Sequence, residues 1–318
     1  MSIDRISTAS QMAYMLTQIQ GASSALNKTQ EQIASTKNAT TYAGFGDQTQ
    51  VLTATLAAGA RNDAYTTGTT FASTQVSLQD TQLSSLSDLA AQLKKAVSDA
   101  VANNDGTTLM DQAQSIFDQA SAILNSKDAN GDYIYSGGKT DTAPMAATSL
   151  SDLASMSPLS SAFTNGSFKK SVQVGDGVNV TYGLTASDVA TGLMQSLSQI
   201  AQFDSGTTGN FAATDNLTQA QTTFLTGQIT STTTMSDALN AVQATNGYVA
   251  NQLDNASTQQ TSMNTLYSNF ASNIQDTNMA NAATQLSLQQ TQLQAALQVT
   301  AGLNQLSLLN YLPTTATG

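Results

Sequence analysis

The chain reads as mainly α: an elongated helical coiled coil or bundle formed by its N- and C-terminal segments, with a small β-rich inserted domain. Three observations predict this. The only prolines among the 318 residues are Pro144, Pro158 and Pro313, so 1–143 and 159–312 lack the strongest helix breaker. Leu, Ile, Val and Met recur in these stretches at three- and four-residue steps, the mark of one apolar helix face. Between about 131 and 185 that rhythm stops, and Gly, Asp and aromatic residues take over.

At the start, Met12, Leu16, Ile19, Leu26 and Ile33 form a heptad-like stripe, with Ser23 and Gln30 filling its gaps and Ile6 six residues before it. A second helix is predicted over about 50–104, where Val76, Leu83, Leu86, Leu89, Leu93 and Val97 keep the same step. A third follows over about 107–126, carried by Leu109, Ile116, Ile123 and Leu124, after a turn at Asn103–Gly106. In SVQVGDGVNVTYG, Val172 and Val174 alternate with polar residues on one side of Gly175-Asp176-Gly177. Val178, Val180 and Tyr182 do so on the other, which predicts a β-hairpin. Thr185 and Asp188 read as the polar cap of a new helix. Helices are then expected over about 187–203 and 211–308. Near the end, Leu286, Leu293 and Leu297 lie on one stripe, which shifts to Val299, Leu303, Leu306 and Leu309. The expected division is a terminal axial coiled coil of 1–42 with 275–318, a helical bundle of 43–133 with 187–274, and the inserted domain 134–186.

Charge narrows the function. The net charge is −11, only 10% of residues are charged, and all ten Lys and Arg precede residue 171. Nucleic-acid binding needs a basic footprint, so no nucleic-acid partner is expected. No run of 18 apolar residues exists, so no membrane insertion is expected. The first residues lack the basic and apolar regions of a cleavable signal. Residues 6–27 and everything after Asp276 are uncharged, yet both stretches are amphipathic. A solvated helix face normally carries Lys and Glu. A face of Gln, Asn, Ser and Thr packs against protein without burying charge, which points to assembly; a low-charge bundle within one monomer is the plainer reading of the same pattern.

The chain has no His and no Cys. Ser-His and Cys-His nucleophilic sites are therefore impossible, and zinc and iron–sulfur sites lose their usual ligands. Asp128-Ala-Asn130-Gly-Asp132 resembles the opening of a calcium loop, but Tyr133 and Lys139 stand where such a loop needs Gly and Glu. It reads as a polar turn. No carboxylate pair suggests acid–base chemistry, so no enzyme activity, metal or cofactor is expected.

RISTASQM at Arg5–Met12 and IQDTNMANAATQLSLQQTQLQAALQVTAGLNQLSLLNYL at Ile274–Leu312 resemble the two ends of the flagellin superfamily. GDYIYSGGKTDTAPM at Gly131–Met145, with its core Tyr133-Ile134-Tyr135-Ser136-Gly137, resembles the Gly-X-Tyr-Ile-Phe-Ser-Gly stretch of its hook–filament junction members. STKNATTYAGFGDQTQVL at Ser35–Leu52 replaces the superfamily's usual stretch after the first helix.

The resemblance implies a secreted structural subunit of the bacterial flagellum that adapts hook to filament by polymerising through its terminal helices. It implies export through the flagellar type III channel to an extracellular position, and a homo-oligomer ring within a helical assembly. It also implies neighbours: another hook-associated protein on the hook side, flagellin on the filament side, and a cytoplasmic export chaperone on the C-terminal helix. Two other roles fit the residues. One is a short or divergent filament flagellin. The other is a secreted surface-binding module using the insertion, whose few aromatics are Tyr135, Phe163, Phe168 and Tyr182.

Overall fold

In a computed structural model, residues 2–213 and 216–309 are described, with side chains described from Ser10 to Gly302. Helices dominate: α1 (Ser2–Ser35), α2 (Thr49–Asn103), α3 (Leu109–Leu124), α4 (Leu150–Ser155), α5 (Ala186–Asp204), α6 (Gln219–Gln275) and α7 (Met279–Leu309). Two strands, β1 (Lys170–Gly175) and β2 (Val178–Tyr182), form one antiparallel hairpin. Two compact units divide the chain, residues 1–60 with 264–318, and residues 61–263.

In the unit of residues 61–263, the stripe Leu83, Leu86, Leu93 and Val97 of α2 is buried against Ile116, Phe117 and Leu124 of α3. Leu193, Leu197 and Ile200 of α5 join them, with Leu225 and Leu239 of α6. Each such side chain contributes about 1.5–3 kcal/mol when fully buried. The hairpin packs its inward residues Val174, Val180 and Tyr182 on Ala72, Val76 and Leu253. Polar groups fix this contact. Gln260 Nε2 donates to Thr69 Oγ1 at 2.8 Å and to the Val174 carbonyl at 2.9 Å, and Asn246 Nδ2 donates to the Val76 carbonyl at 3.1 Å.

The helical bounds of α2 and α3 lie within about two residues of the sequence expectation. The α5 entry is a capping box: Thr185 accepts from the Asp188 amide, and the Asp188 carboxylate accepts from the Thr185 amide. The stretch 134–186 holds little strand beyond the hairpin. It adds the short α4, and its Tyr135, Met145, Leu150, Leu153 and Ala162 enter the same core as the helices.

The expected continuous helix over 211–308 is corrected at two places. It starts only at Gln219, because Phe211 is buried against Phe203, with ring centroids 5.6 Å apart, and its amide is held by Asp204 Oδ1 at 2.8 Å. A second capping box, Thr218 with Gln221, then opens α6. The helix is also interrupted between Gln275 and Met279.

Candidate assembly interface

In the unit of residues 1–60 and 264–318, α1 and α7 lie side by side and antiparallel. Thr300 Oγ1 approaches Met15 Sδ at 3.9 Å toward one end, and Lys37 pairs with Asp276 across an antiparallel bridge at the other. The inner positions follow strict heptad steps on both helices. On α1 they are Met15, Ile19, Ala22, Leu26, Thr29 and Ile33; on α7 they are Ala282, Leu286, Gln289, Leu293, Ala296 and Thr300. Antiparallel packing at 3.5 residues per turn keeps such a seam facing its partner.

This seam differs from the stripe read in the sequence. Ile19, Leu26, Ile33, Leu286 and Leu293 take inner positions, but Ala22 and Thr29 stand where Ser23 and Gln30 were expected to fill the gaps. Ser23 is half-buried beside the seam and Gln30 is exposed. Leu16 and Leu297 point outward, each 51% exposed, and Met12, at the next heptad step before Met15, is 39% exposed. The side chains of Ile6, Leu303, Leu306 and Leu309 lie outside the described residues. The apolar residues of each helix are thus divided between an inner face and its two flanks. The inner one is small and partly polar, with Thr29 buried and its hydroxyl donating to the Ala25 carbonyl at 3.1 Å. Outside it, Tyr14 and Leu16 on α1 and Leu288, Leu297 and Val299 on α7 are exposed; Tyr14 and Leu16, like Leu297 and Val299, stand two residues apart and so lie on opposite flanks of their helix.

A strap closes the pair where α1 ends. Thr36 takes a left-handed conformation (φ 60°) and turns the chain across the gap between α6 and α7. Asn38 then supplies three bonds to carbonyls at the end of α6. Its amide N–H reaches Gln275 O at 2.7 Å, and its Nδ2 reaches Ile274 O at 2.9 Å and Asp276 O at 3.1 Å. In return, the Thr277 amide donates to Thr36 O at 2.9 Å and Thr277 Oγ1 donates to Asn38 Oδ1 at 3.2 Å. The last carbonyls of a helix have no intrahelical partner; here a residue from the far end of the sequence satisfies them. Asn278 opens α7 as its cap, accepting from the Asn281 amide at 3.1 Å.

The Tyr133–Gly137 segment lies in the other unit and is a buckle, not a surface feature. Tyr133 N donates to Thr140 O at 2.9 Å and Ile134 N to Ser126 O at 3.1 Å. Ala186 N donates to Tyr135 O at 3.0 Å and Gly166 N to Ser136 O at 2.8 Å, so the segment ties the end of α3 to the start of α5. Ser136 Oγ closes it on Tyr133 O at 2.8 Å, and Lys127 Nζ sits 4.5 Å from the centre of the Tyr133 ring. Gly137 (φ 58°) faces Gly166 so closely that a Cβ there would stand 2.1 Å from Gly166 O.

Tyr135 is fully buried, and its hydroxyl has no hydrogen-bond partner. Burial pushes its pKa well above the usual phenol value. The neutral ring is therefore favoured in the fold, while the unfolded chain ionises near pH 10. Stability is full below that pH and falls as pH rises beyond it. Tyr135→Phe removes an unsatisfied buried group. It is expected to raise stability by about 1 kcal/mol and to flatten the alkaline fall, both read from urea midpoints at pH 7 and above pH 10.

Among the described residues no cluster of acidic side chains could hold a metal ion, and Asp128 Oδ1 caps its own turn, accepting from Asn130 N at 2.8 Å. No described helix is long and apolar enough to cross a membrane.

Residues 229–312 match the family described as the bacterial flagellin C-terminal helical region. Over 91 residues the chain is 34% identical to flagellar hook-associated protein 3 of Escherichia coli (strain K12), and 33% identical to the protein of the same name from Salmonella typhimurium (strain LT2). Each match covers 27% of this chain and 29% of the relative, so the chain matches under a third of the length of these relatives. A solved structure assigned as a flagellar hook-associated protein from Vibrio parahaemolyticus shares the fold. Its TM-score is 0.59 at 17% identity, covering 72% of this chain and 97% of that one. The C-terminal part of this chain, residues 229–312, is thus similar to the flagellin C-terminal helical region.

Proposed function

We propose that the chain is a non-catalytic structural subunit of the bacterial flagellum, placed at the hook–filament junction and polymerising through its terminal helices. One observation carries the reading: the flagellin-type C-terminal region ends in a charge-free helix, α7, that leaves Leu288, Leu297 and Val299 exposed, while its partner α1 leaves Tyr14 and Leu16 exposed. An apolar face without charge is a packing surface rather than a solvated one. The names of the two curated relatives support the junction position. On this reading the subunits form a homo-oligomer ring in a helical assembly, with another hook-associated protein below and flagellin above. The chain travels unfolded through the flagellar type III channel, and an export chaperone covers α7 beforehand. The axial pair is 1–42 with 275–318, the bundle 43–133 with 187–274, and 134–186 the outer insertion.

Deleting the gene is expected to leave complete hooks without filaments, with flagellin monomers lost into the medium. The flagellin C-terminal match favours a second reading, a short filament flagellin. Mass spectrometry of purified flagella separates the two. A trace of this chain at the filament base fits the junction; dominance among filament proteins overturns it.

A further inference from the structure

The only local capping device at the interruption between α6 and α7 that the described bonds show is the Asn278 cap of α7, and a cap of this kind is worth only about 1 kcal/mol. Between Gly247 and Gly302 the sequence contains neither Gly nor Pro, whereas helices commonly end on Gly at the residue after the cap or are stopped by Pro. Asp276, Thr277 and Asn278 are weak helix formers but not breakers. What holds the chain out of the helix is the strap. Asn38 takes the carbonyls of Ile274, Gln275 and Asp276, and Thr36 takes the Thr277 amide, so three carbonyls and one amide that would continue the helical ladder are engaged from outside.

We infer that the α6–α7 break is conditional: Asn38 makes it by docking, and without that docking α6 and α7 run on as one uninterrupted helix. The nucleus for such a helix already exists in α6, and extending a formed helix requires no new nucleation. Running on adds intrahelical bonds through 276–280 in place of the strap's. It also turns α7 about its axis relative to α6, because three residues now follow the helical path. Asn38 is therefore a positioning residue. By fixing the break it sets which residues of α7 form the seam with α1 and which are left facing outward. The inference concerns the chain's own conformations and does not depend on its place in the flagellum.

The test uses the full-length chain, isotopically labelled, with backbone 13Cα shifts read at Asp276–Asn278. Asn38→Asp keeps the size of the side chain but replaces both Nδ2–H donors with acceptors that repel the carbonyls. The shifts are expected to move from non-helical to helical values, with loss of contacts between Met15 and Thr300, while signals of residues 61–263 stay in place. Met279→Pro supplies the discriminating variant. Proline suits the first position of α7 but cannot sit inside a continuous helix. Added to Asn38→Asp, it is expected to return the 276–278 shifts to non-helical values and to restore the Met15–Thr300 contact. Unchanged shifts in Asn38→Asp would mean that the break is intrinsic, and random-coil shifts would mean that α7 melts instead of joining α6. Either result overturns the inference.

Discussion

Gly137→Ala is expected to lower the unfolding free energy of the folded chain by more than about 3 kcal/mol, whereas Gly131→Ala lowers it by about 1 kcal/mol. Both glycines have positive φ, 58° at Gly137 and 87° at Gly131, so an alanine is strained at each. Only the first is also enclosed. A Cβ on Gly131 meets nothing within 4 Å, while one on Gly137 stands 2.1 Å from Gly166 O and 3.0 Å from the Thr185 methyl group. To admit it, the Ser136–Gly166 bond and the Thr185 cap of α5 must shift together. Those groups hold the insertion to the core that contains Leu193 and Tyr135. Urea midpoints of the two variants check the difference. Equal small losses would mean that 164–168 yields freely and that the buckle at Gly137 is not a fixed point of the fold.

Under the proposed assembly role, Leu16→Lys combined with Leu297→Lys is expected to reduce incorporation into the flagellum at least tenfold while leaving the isolated chain as helical as before. Both leucines face outward from the α1–α7 pair, and Lys is nearly as good a helix former as Leu, so neither seam nor helix loses anything. An interface formed over that face, however, would have to bury two unpaired ammonium groups, which costs several kcal/mol for each. Leu293→Lys places the same charge on the inner seam and is expected to separate α1 from α7 already in the monomer, with loss of far-UV helical signal. Quantitative mass spectrometry of purified flagella, beside circular dichroism of the purified chains, checks both. If the outward pair incorporates like the parent chain, the face defined by Leu16 and Leu297 is not the assembly surface.

The sequence made some elements plain and hid others, for physical reasons. The stripe Leu83–Val97 announces α2 because one face of that helix is wholly buried. The alternation around Asp176-Gly177 announces the hairpin because its two faces differ, and Thr185 with Asp188 announces α5 because a capping box is local. The seam of α1 was harder to read. Its apolar residues are divided between an inner face and its two flanks, and Ala22 and Thr29 do inner work that pattern reading assigns to larger side chains. The gap after Gln275 was hidden because its cap is Asn38, more than two hundred residues away, and no local window contains both. The Tyr133–Gly137 segment was visible as a motif, but its closeness to Gly166 follows only from the packed fold.

The terminal pair also has a consequence for the surroundings in which it works. Residues 6–27 and all those after Asp276 contain no side chain that gains or loses a proton in ordinary water, and none whose attraction dissolved ions can screen. Contacts made through these stretches rest on close packing and neutral hydrogen bonds. Mild acid and mild alkali leave the charge of such a joint unchanged, and salt acts on it only through apolar burial and not by screening ion pairs.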